Sequence, residues 1–347
     1  MTSMKITPRL LLLGYGNVAR AFLPLLASRC AWLEQELGVS PLISGLGSRR
    51  AGFFTHPTGI AAASLADEPD PIQVFATTGN ASHDALAFLH AGRAAGANVL
   101  IELTTMNPQN GEPALTHVRQ ALGADMNVIT ANKGPIAHAG EALHRLAKQH
   151  GVQLRYESTV MDGLPLLNLA EFTLPAVGIR GWRGLLNNTS SIVLSQMEQG
   201  RSLDEAIRLA QQIGVAEANP WHDLDGWDAA MKTTILTNTL LNVHLTPQLV
   251  QRTGIRDLSQ AEVIAAAQAE TPIRLVSSAQ LVDGIPVATV HPERLQPADP
   301  LSSGKDIGII SLDTEAMGTI TLTQHATGVL QTAYGVLSDL ITILRLD

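Results

Sequence analysis

The first 150 residues alternate between short apolar runs and longer stretches in which apolar residues recur every three or four positions. Short runs predict strands, and the longer periodic stretches predict helices. Pro24 lies inside the first of these helices and is expected to kink or break it. Alternation of strands and helices is typical of a parallel sheet with helices on both faces. The predicted strands are 6–13, 41–46, 72–76, 98–103 and 127–130, and the predicted helices are 18–37, 82–95, 111–122 and 140–150.

The pattern changes after about residue 150, where strands and helices no longer alternate. This predicts a second, α+β domain over residues 151–325, and a C-terminal helix at about 326–347 that completes the first domain. The predicted strands are 153–157, 178–186, 273–280, 286–291, 307–312 and 318–325, and the predicted helices are 190–199, 203–213, 228–241 and 328–344.

A glycine-containing turn joins the first predicted strand to the first predicted helix. Residues 14–19 read Gly-Tyr-Gly-Asn-Val-Ala, which fits the Gly-x-Gly-x-x-Gly/Ala pattern of dinucleotide-binding turns. Gly14 would make the tight turn, and Gly16 would bring bare backbone and the N–H groups of Asn17 and Val18 to the pyrophosphate. An accidental glycine-rich turn is the alternative. The pattern favours a Rossmann-type dinucleotide-binding domain at residues 1–150.

The end of the second predicted strand bears on the choice of cofactor. An acidic residue there would bind the ribose 2′-hydroxyl of NAD, and an arginine would bind the 2′-phosphate of NADP. This chain has Arg49 and Arg50 and no carboxylate. The two arginines favour NADP over NAD, with a pair of solvated surface arginines as the alternative.

Composition and charge exclude several other classes of protein. Hydrophobic residues make up 45% of the 347 residues, and the formal net charge is −8, without a basic stripe for nucleic acid. The single cysteine, Cys30, cannot form an internal disulfide, and neither cysteine nor histidine spacing suggests a zinc site. No apolar run approaches the ~18 residues of a membrane span, and no signal peptide is recognisable. We expect a soluble cytoplasmic protein with no nucleic-acid or membrane partner.

The most informative segment is 214–232, which places four carboxylates and one lysine in a charge-poor chain. Asp228 and Lys232 would lie one turn apart on one face of a helix that begins near Asp225. One interpretation is structural: Asp225 caps the helix, and Asp228 and Lys232 form an ordinary ion pair. The other is a proton-transfer site, because the surrounding residues are largely apolar. Burial lowers the pKa of a lysine, and a neighbouring carboxylate opposes that change.

This segment resembles the homoserine dehydrogenase family, whose pattern is Gly-x-Ala-Glu-x-Asp-Pro, an Asp, and then Gly-x-Asp-Ala-x-x-Lys. Further stretches resemble the family in the same order along the chain, from about residue 10 to residue 340. They are the opening turn at 14–18, the helix at 111–115, the lysine-bearing turn at 130–135, the interdomain strand at 156–160 and the closing helix at 328–339.

The resemblance implies roles for residues around a substrate. Lys232 would donate and accept the proton at the substrate oxygen, and Asp228 would hold it. Glu217 and Asp223 would bind the substrate ammonium group. Lys133 would lie between the nicotinamide and the substrate.

The resemblance also implies cofactor and cation sites. Thr104 and Thr105 would line the cofactor cleft, and Gly328 would return the closing helix to the cofactor. A monovalent cation such as Na⁺ would be bound by backbone oxygens around Glu157, Val160, Asp162 and Leu164.

The implied activity is the reversible NAD(P)-dependent interconversion of L-homoserine and L-aspartate 4-semialdehyde, in threonine and methionine biosynthesis. Residues 151–325 would bind this small amino-acid substrate and form a homodimer. The chain resembles the short form of the family. We therefore expect neither an aspartokinase domain nor an ACT regulatory domain, and no end-product feedback through such a module.

Three substitutions depart from the family pattern around the substrate: Asn188 replaces a glycine, Ser191 an amide side chain and Asn219 an aspartate. At the cation turn, Met161 and Asp162 replace smaller residues. The departures leave two alternatives open. One is a related enzyme acting on another amino or hydroxy aldehyde, and the other is a catalytically silent nucleotide-binding sensor.

Overall fold

The computed structural model describes residues 7–65, 68–304 and 308–346. The chain divides into two compact units, which we call unit 1 (1–166 and 328–347) and unit 2 (167–327). Unit 1 is therefore built from both ends of the chain. Ile6 and Ile307, the first residues of two predicted strands, lie outside the described residues, as does Asp347.

A mostly parallel sheet forms the centre of unit 1, and seven of the described strands contribute to it. Their order across the sheet is β4-β3-β2-β1-β5-β6-β7. Strands β2, β1, β5, β6 and β7 are parallel to one another, and β3 is antiparallel to both β2 and β4. The fold is the expected α/β Rossmann-type arrangement. The strands are β1 (Arg9–Leu13), β2 (Leu42–Ser48), β3 (Gly52–Ala61), β4 (Asn80–Ser82), β5 (Val99–Glu102), β6 (Asn127–Thr130) and β7 (Leu154–Arg155).

Helices cover this sheet, and the C-terminal helix is one of them. The last helix packs against the first, and Val336, Leu340 and Ile343 are fully buried in the same core as Leu10 and Leu12 of β1. The helices of unit 1 are α1 (Asn17–Leu37), α2 (Pro71–Thr78), α3 (Ala85–Ala94), α4 (Ala114–Gly123), α5 (Lys133–His150) and, at the end of the chain, α12 (Val329–Leu346).

One predicted strand of unit 1 is wrong. The apolar run at 72–76 forms helix α2 and not a strand, because Pro71 occupies the first helical position and Ile72 and Phe75 share one buried face. The sheet is instead extended by β3 at 52–61, which the pattern did not predict. Pro24 is exposed and lies inside the unbroken helix α1, so it does not break the helix, and a kink there stays a prediction.

Unit 2 contains a mixed sheet, to which six of the described strands contribute. Its order is β13-β12-β8-β10-β11-β9, and all neighbours are antiparallel except β9 and β11. This is the expected α+β arrangement. The strands are β8 (Ile179–Leu185), β9 (Gln251–Arg252), β10 (Ile273–Val282), β11 (Ile285–Arg294), β12 (Gly308–Thr314) and β13 (Gly318–Gln324).

Helices of unit 2 pack on one another and on this sheet. Helix α10 (Trp227–Leu241) lies against β10 and β11 and is buried along most of its length. Its first residue is Trp227, and the residue before it, Gly226, has a φ of +79°. The helices are α6 (Leu166–Asn168), which spans the boundary of the units, α7 (Asn188–Glu198), α8 (Leu203–Gln212), α9 (Trp221–Leu224), α10 (Trp227–Leu241) and α11 (Gln260–Gln268).

Within the described residues, α12 is the one helix whose length and hydropathy would suit a membrane span. Val336, Leu340 and Ile343 are buried against the sheet and helix α1 of unit 1. One face of this helix therefore packs within unit 1.

Candidate functional site

The predicted cofactor residues of unit 1 follow four neighbouring parallel strands. Because β2, β1, β5 and β6 run in the same direction, their carboxyl ends lie at one edge of the sheet. Such an edge is where open α/β sheets bind ligands. The residues that follow the strands are 14–18 after β1, 49–50 after β2, 104–105 after β5 and 133 after β6.

The two glycines of the turn after β1 have different structural reasons. Gly14 has a φ of +105°, and a Cβ atom there would overlap the backbone of Leu103 and lie 2.7 Å from the nitrogen of Thr104. Gly16 precedes α1, and a Cβ atom there would meet no described atom within 4 Å. No side chain of the described residues caps α1. The turn therefore combines a close backbone approach at Gly14 with open space at Gly16, immediately before Asn17 and Val18, the first residues of α1.

Arg49 and Arg50 are exposed in the turn between β2 and β3. The backbone N–H of Gly14 donates to the carbonyl of Gly47 at 2.7 Å, which ties the end of β2 to the glycine turn. The two guanidinium groups thus belong to the same edge of the sheet as the glycine turn.

A buried carboxyl group, which the sequence analysis did not single out, lies at the same edge. Glu102 ends β5 and is fully buried. Its Oε1 accepts hydrogen bonds from the N–H of Thr104 at 2.9 Å and from the hydroxyl of Thr104, and its Oε2 accepts from the hydroxyl of Thr130 at 2.9 Å. Burial raises the pKa of Glu102 to about 7, although these hydrogen bonds act to lower it.

Glu102 connects the loops after β5 and β6. Asn132 donates from its amide to the carbonyl of Thr104 at 3.1 Å and accepts from the N–H of Gly134 at 3.0 Å, which caps α5. Lys133 is the first residue of that helix and is half-buried. Ala139 has non-helical backbone angles, with φ −145° and ψ 18°, so the helix predicted from 140 is present after this break, and a helical segment that begins at Lys133 and is capped by Asn132 precedes it. The network fixes the backbone that carries Thr104 and Lys133. Thr105 is exposed.

The segment proposed for a cation lies against α12 in unit 1. Glu157 donates its backbone N–H to the carboxylate of Asp339 at 2.9 Å, and a Cβ atom at Gly163 would lie 2.8 Å from the Cα of Gly335. Met161, Asp162 and Gly163 all have positive φ, which makes a tight turn between Val160 and Leu164. Gly328, with a φ of +142°, precedes α12, and its carbonyl accepts from the N–H of Thr332 at 3.0 Å.

Unit 2 holds an ion pair that is shielded from solvent. The Nζ atom of Lys232 lies 3.0 Å from Oδ2 of Asp228, and the exposed fractions of the two side chains are 16% and 11%. Lys232 also donates to the carbonyl of Leu186 at 2.6 Å. Both residues are on α10, four positions apart, as the sequence predicts.

Asn187 organises the cluster around this pair. Its Oδ1 accepts from the N–H of Ser190 at 2.8 Å and caps α7, and its Nδ2 donates to Oδ2 of Asp228 at 3.1 Å. A hydrogen bond from the same side chain helps to lower the pKa of Asp223. Asn187 therefore links the two carboxylates. It lies three residues before the predicted helix start at 190, where an asparagine indicates a helix cap but not this link.

Asp223 is the second carboxylate of the cluster. The hydroxyl of Thr189 donates to its Oδ2 at 2.6 Å. Burial and the charge of Asp228 raise the pKa of Asp223, while Thr189 and Lys232 act in the opposite direction. The structure thus brings together Asp223, Asp228 and Lys232 around Asn187.

Four other residues that the sequence analysis named, Glu217, Asn188, Ser191 and Asn219, make separate hydrogen bonds. Glu217 is exposed in the loop between α8 and α9, and its carbonyl accepts from Nε2 of Gln211 at 3.1 Å. Asn188 is the first residue of α7, so this position does not require the positive φ of a glycine. Its side chain donates to the hydroxyl of Thr327 at 2.6 Å. Ser191 donates to the carbonyl of Asn187 at 3.1 Å, and Asn219 accepts from the N–H of Trp221 at 3.4 Å.

The structural alternative for Asp225 is wrong. Gly226, and not Asp225, precedes α10, and the helix has no side-chain cap among the described residues. The carboxylate of Asp225 instead accepts two hydrogen bonds from Arg256, at 3.0 and 2.7 Å. Arg256 lies 31 residues further along the chain, so sequence spacing alone gave no indication of this contact.

Comparisons with known proteins agree on one family. The family model described as homoserine dehydrogenase matches residues 165–341. The chain is 36% identical over 337 residues to an NAD(+)-dependent homoserine dehydrogenase of Pseudomonas canavaninivorans, covering 96% of each chain. It is 32% identical over 338 residues to a homoserine dehydrogenase of Sulfurisphaera tokodaii, covering 97% of this chain and 99% of that one.

Solved structures are similar in fold as well. The crystal structure of a homoserine dehydrogenase from Thermoplasma acidophilum matches with a TM-score of 0.80 and 25% identity, covering 98% of this chain and 100% of that one. The crystal structure of a homoserine dehydrogenase from Thiobacillus denitrificans matches with a TM-score of 0.83 and 24% identity, covering 98% of this chain and 74% of that one. Each similarity extends over both units.

Proposed function

Because this chain belongs to the homoserine dehydrogenase family, we propose that it interconverts L-homoserine and L-aspartate 4-semialdehyde with a nicotinamide dinucleotide. The observation that carries the proposal is the shielded pair of Lys232 and Asp228 beside a second carboxylate, Asp223. This set offers a proton donor and a site for an ammonium group, and the substrate needs both.

The charges of unit 2 fit a zwitterionic amino acid. The ionised carboxylate of Asp223, oriented by the hydroxyl of Thr189, would accept hydrogen bonds from the substrate ammonium group. Glu217 would add a second acceptor from its exposed loop, and Lys133 of unit 1 would supply a positive charge for the substrate. These assignments follow from the chemistry of the groups and the family pattern.

Lys232 would transfer the proton to and from the substrate oxygen. When the aldehyde is reduced, its ammonium group donates a proton to the oxygen that becomes the hydroxyl of homoserine. When homoserine is oxidised, the neutral amine takes that proton back. Asp228 and the carbonyl of Leu186 hold Nζ in place, so little reorganisation is needed at the moment of transfer. The bound cofactor supplies or accepts the hydride.

The enzyme is an NAD(P)-dependent oxidoreductase by family, and NADP is our finer proposal. Arg49 and Arg50 follow β2 at the edge that carries the glycine turn. Arginine suits a phosphate because its guanidinium group donates two parallel hydrogen bonds. The relative from P. canavaninivorans is named as NAD(+)-dependent, which makes NAD the alternative that the assay must include.

A monovalent cation is a further part of the proposal. Main-chain carbonyl groups around Glu157, Val160, Asp162 and Leu164 are the hard oxygen ligands that such an ion prefers. The three residues of positive φ at 161–163 give this turn its tight curvature. Activity and melting temperature should both rise when Na⁺ or K⁺ replaces a bulky organic cation at constant ionic strength. Equal values in all of these salts would contradict this part.

We also propose that the protein forms a homodimer and that it is cytoplasmic. Strand β13 forms one edge of the sheet of unit 2, and alternate residues along it are exposed. An exposed strand edge is a ready template for pairing with a second copy. Sedimentation at micromolar concentration should give twice the mass of the chain, whereas a monomer would refute the dimer.

The experiment that tests the function uses the full chain with homoserine and either NADP or NAD. We expect cofactor reduction, and we expect the variant Lys232→Met to lose roughly 10²- to 10⁴-fold in kcat, the range for one general acid–base group. Cofactor binding to the variant, followed by calorimetry, should be preserved.

Two other outcomes would overturn this assignment. Turnover of a different amino or hydroxy aldehyde, but not of homoserine, would indicate a related enzyme. Nucleotide binding by the parent protein with no turnover of any such substrate would indicate a sensor.

A further inference from the structure

The turn between α9 and α10 sets the position of both carboxylates of the cluster. Asp225 follows the last residue of α9, Leu224, and Gly226 precedes α10 with a φ of +79°. Asp223 lies two residues before Asp225, and Asp228 lies three residues after it. A change in the backbone at Asp225 would therefore move Asp223 relative to Asp228 and Lys232.

Two arginines hold this turn from one side. Arg256 donates from Nε and Nη2 to the two carboxylate oxygens of Asp225, at 3.0 and 2.7 Å, and its guanidinium carbon lies 3.8 Å from the ring centre of Trp221. Arg252 donates to the backbone carbonyl of Asp225, and its guanidinium carbon lies 3.9 Å from the ring centre of Trp227.

The two tryptophans mark the ends of the turn. Trp221 is the first residue of α9, and Trp227 is the first residue of α10. A guanidinium group stacked on an indole ring is attracted by its π-electrons. Each arginine therefore holds the turn at Asp225 and the start of one of the two helices at once. We call Arg252, Arg256, Trp221, Trp227 and Asp225 the arginine clasp.

The backbone beside the clasp is attached to the sheet. Arg252 pairs with Val290 in the parallel contact of β9 with β11, and the N–H of Thr253 donates to the carbonyl of Val290 at 2.7 Å. The N–H of Ile255 donates to the carbonyl of Leu224 at 2.8 Å. Gly254 lies so close to the turn that a Cβ atom would be 2.5 Å from the Cα of Asp225. The clasp thus transmits the rigidity of the sheet to the turn.

We infer that Arg252 and Arg256 are positioning residues, which fix Asp223 relative to Asp228 and Lys232 and so set the affinity for the ammonium group of the substrate. This inference rests on the proposed function. Neither arginine needs to touch the substrate, because their effect passes through Asp225 and the starts of the two helices.

A purely stabilising surface ion pair is the competing explanation. The side chains of Arg256 and Asp225 are 49% and 30% exposed, and exposed pairs of this kind contribute little to stability. Unit 2 offers a matched control in Arg180, which donates to Asp313 at 3.1 Å with exposed fractions of 57% and 53%. A stabilising role would make the two pairs equivalent, whereas a positioning role would not.

The experiment compares Arg256→Ala, Arg252→Ala and Arg180→Ala in the full chain. We expect KM for homoserine to rise roughly tenfold in the first two variants, since displacements of about 1 Å can cost up to 10²-fold. We expect KM for the cofactor to change less than about twofold and Arg180→Ala to resemble the parent. Arg256→Lys keeps the charge without the two parallel bonds, so its KM should fall between those of parent and Ala variant.

Hydrogen–deuterium exchange gives a readout that does not depend on activity. The amides of residues 221–228 should exchange faster in Arg256→Ala than in Arg180→Ala. If the parent protein fails to turn over homoserine, the proposed function fails, and exchange alone then decides for or against the clasp. An unchanged homoserine KM, an equal rise in cofactor KM, or exchange that matches the control would overturn the inference.

Discussion

The ammonium nitrogen of Lys232 lies 3.0 Å from Oδ2 of Asp228, which precedes it by one helical turn. Both side chains are mostly shielded from water. The same nitrogen donates to the carbonyl of Leu186. An acceptor on α10 and another just after β8 therefore fix the position of Nζ.

Replacing Asp228 by Asn tests what the charge contributes. The amide keeps the shape but cannot balance a buried ammonium group, so we expect kcat to fall about 10²-fold, within the range for one acid–base partner. Cofactor affinity should be unchanged. Asp204→Asn, which changes an exposed acid on α8, is the control for the substitution. An Asp228→Asn variant with parental kcat would contradict the assignment.

Thr189→Val should shift the pH dependence of substrate use. The hydroxyl of Thr189 donates to Asp223 at 2.6 Å and lowers its pKa, against burial and the charge of Asp228, which raise it. Without that hydroxyl the pKa of Asp223 rises further, and the carboxylate becomes protonated at a higher pH. The acid limb of kcat/KM for homoserine should therefore move to higher pH in this variant.

The control for this prediction is Thr237→Val on α10. Its buried hydroxyl donates to the carbonyl of Thr233 in its own helix at 2.7 Å. Its pH profile should superimpose on that of the parent. A Thr189→Val profile that also superimposes, or that moves to lower pH, would show that Asp223 does not need to be ionised for substrate binding.

Arg49→Ala tests the choice between the two nicotinamide cofactors. Loss of a charge-assisted contact to a 2′-phosphate should weaken NADP binding roughly tenfold or more and leave NAD binding nearly unchanged. Arg29→Ala, an exposed arginine of α1, serves as the control in the same titrations. Equal effects of Arg49→Ala on both cofactors would mean that the arginine remains in solvent when the dinucleotide binds.

Glu102→Gln should change how stability depends on pH. Burial raises the pKa of Glu102 from 4.5 to about 7 in the folded protein. Stability from this group is then present below pH 4.5 and is lost as pH rises to about 7, by up to about 3 kcal/mol. The glutamine variant has no such loss, so its free energy of unfolding should gain on that of the parent over this range.

Denaturant unfolding at several pH values measures this difference. Glu36→Gln, an exposed position on α1, controls for the substitution itself. A gap between parent and Glu102→Gln that stays constant from pH 4.5 to 8 would show that Glu102 titrates normally. The same variant should bind the cofactor less tightly, because the hydrogen bonds that join Thr104 to Thr130 are weakened.

The two glycines of the turn should fail in different ways when replaced by alanine. Gly14→Ala forces a Cβ atom into the backbone of Leu103 at a φ of +105°, so we expect a loss of about 2 kcal/mol or more in unfolding free energy. Gly16→Ala has space in the unliganded fold. It should keep its stability and lose cofactor affinity, because the methyl group occupies the approach of the pyrophosphate.

Gly123→Ala provides the reference for these variants, since it ends α4 and a Cβ atom there meets no described atom within 4 Å. Melting curves and cofactor titrations of the three variants separate the two effects. If Gly16→Ala bound the dinucleotide as the parent does, the turn would not be the pyrophosphate site.

The features that local sequence determines were predicted well. The turn at Gly14 follows from a positive φ and a close backbone approach that only glycine meets, and Asp228 and Lys232 share a helix face because of their spacing alone. The strand predicted at 72–76 is a helix, because a five-residue run with four apolar residues satisfies both the strand and the helix period. There the position of Pro71 at a helix start was the better signal.

Features that depend on distant contacts were not predicted. Glu102 lies within the strand predicted at 98–103, which gives no sign of a site. Its hydrogen bonds join Thr104 to Thr130 only because β5 and β6 are neighbours in the sheet. The sequence around Asp225 indicates a helix cap, whereas in the structure its carboxylate accepts hydrogen bonds from Arg256. Such contacts join residues about thirty positions apart, so no local pattern reveals them.

The discontinuity of unit 1 bears on how the protein is made. The helix Val329–Leu346 fills the core beside β1, yet it is synthesised after the whole of unit 2. Until then the nascent chain holds the glycine turn and its strands without the buried surface of Val336, Leu340 and Ile343. Unit 2 is continuous in sequence, so all of its residues are synthesised before the core of unit 1 can close.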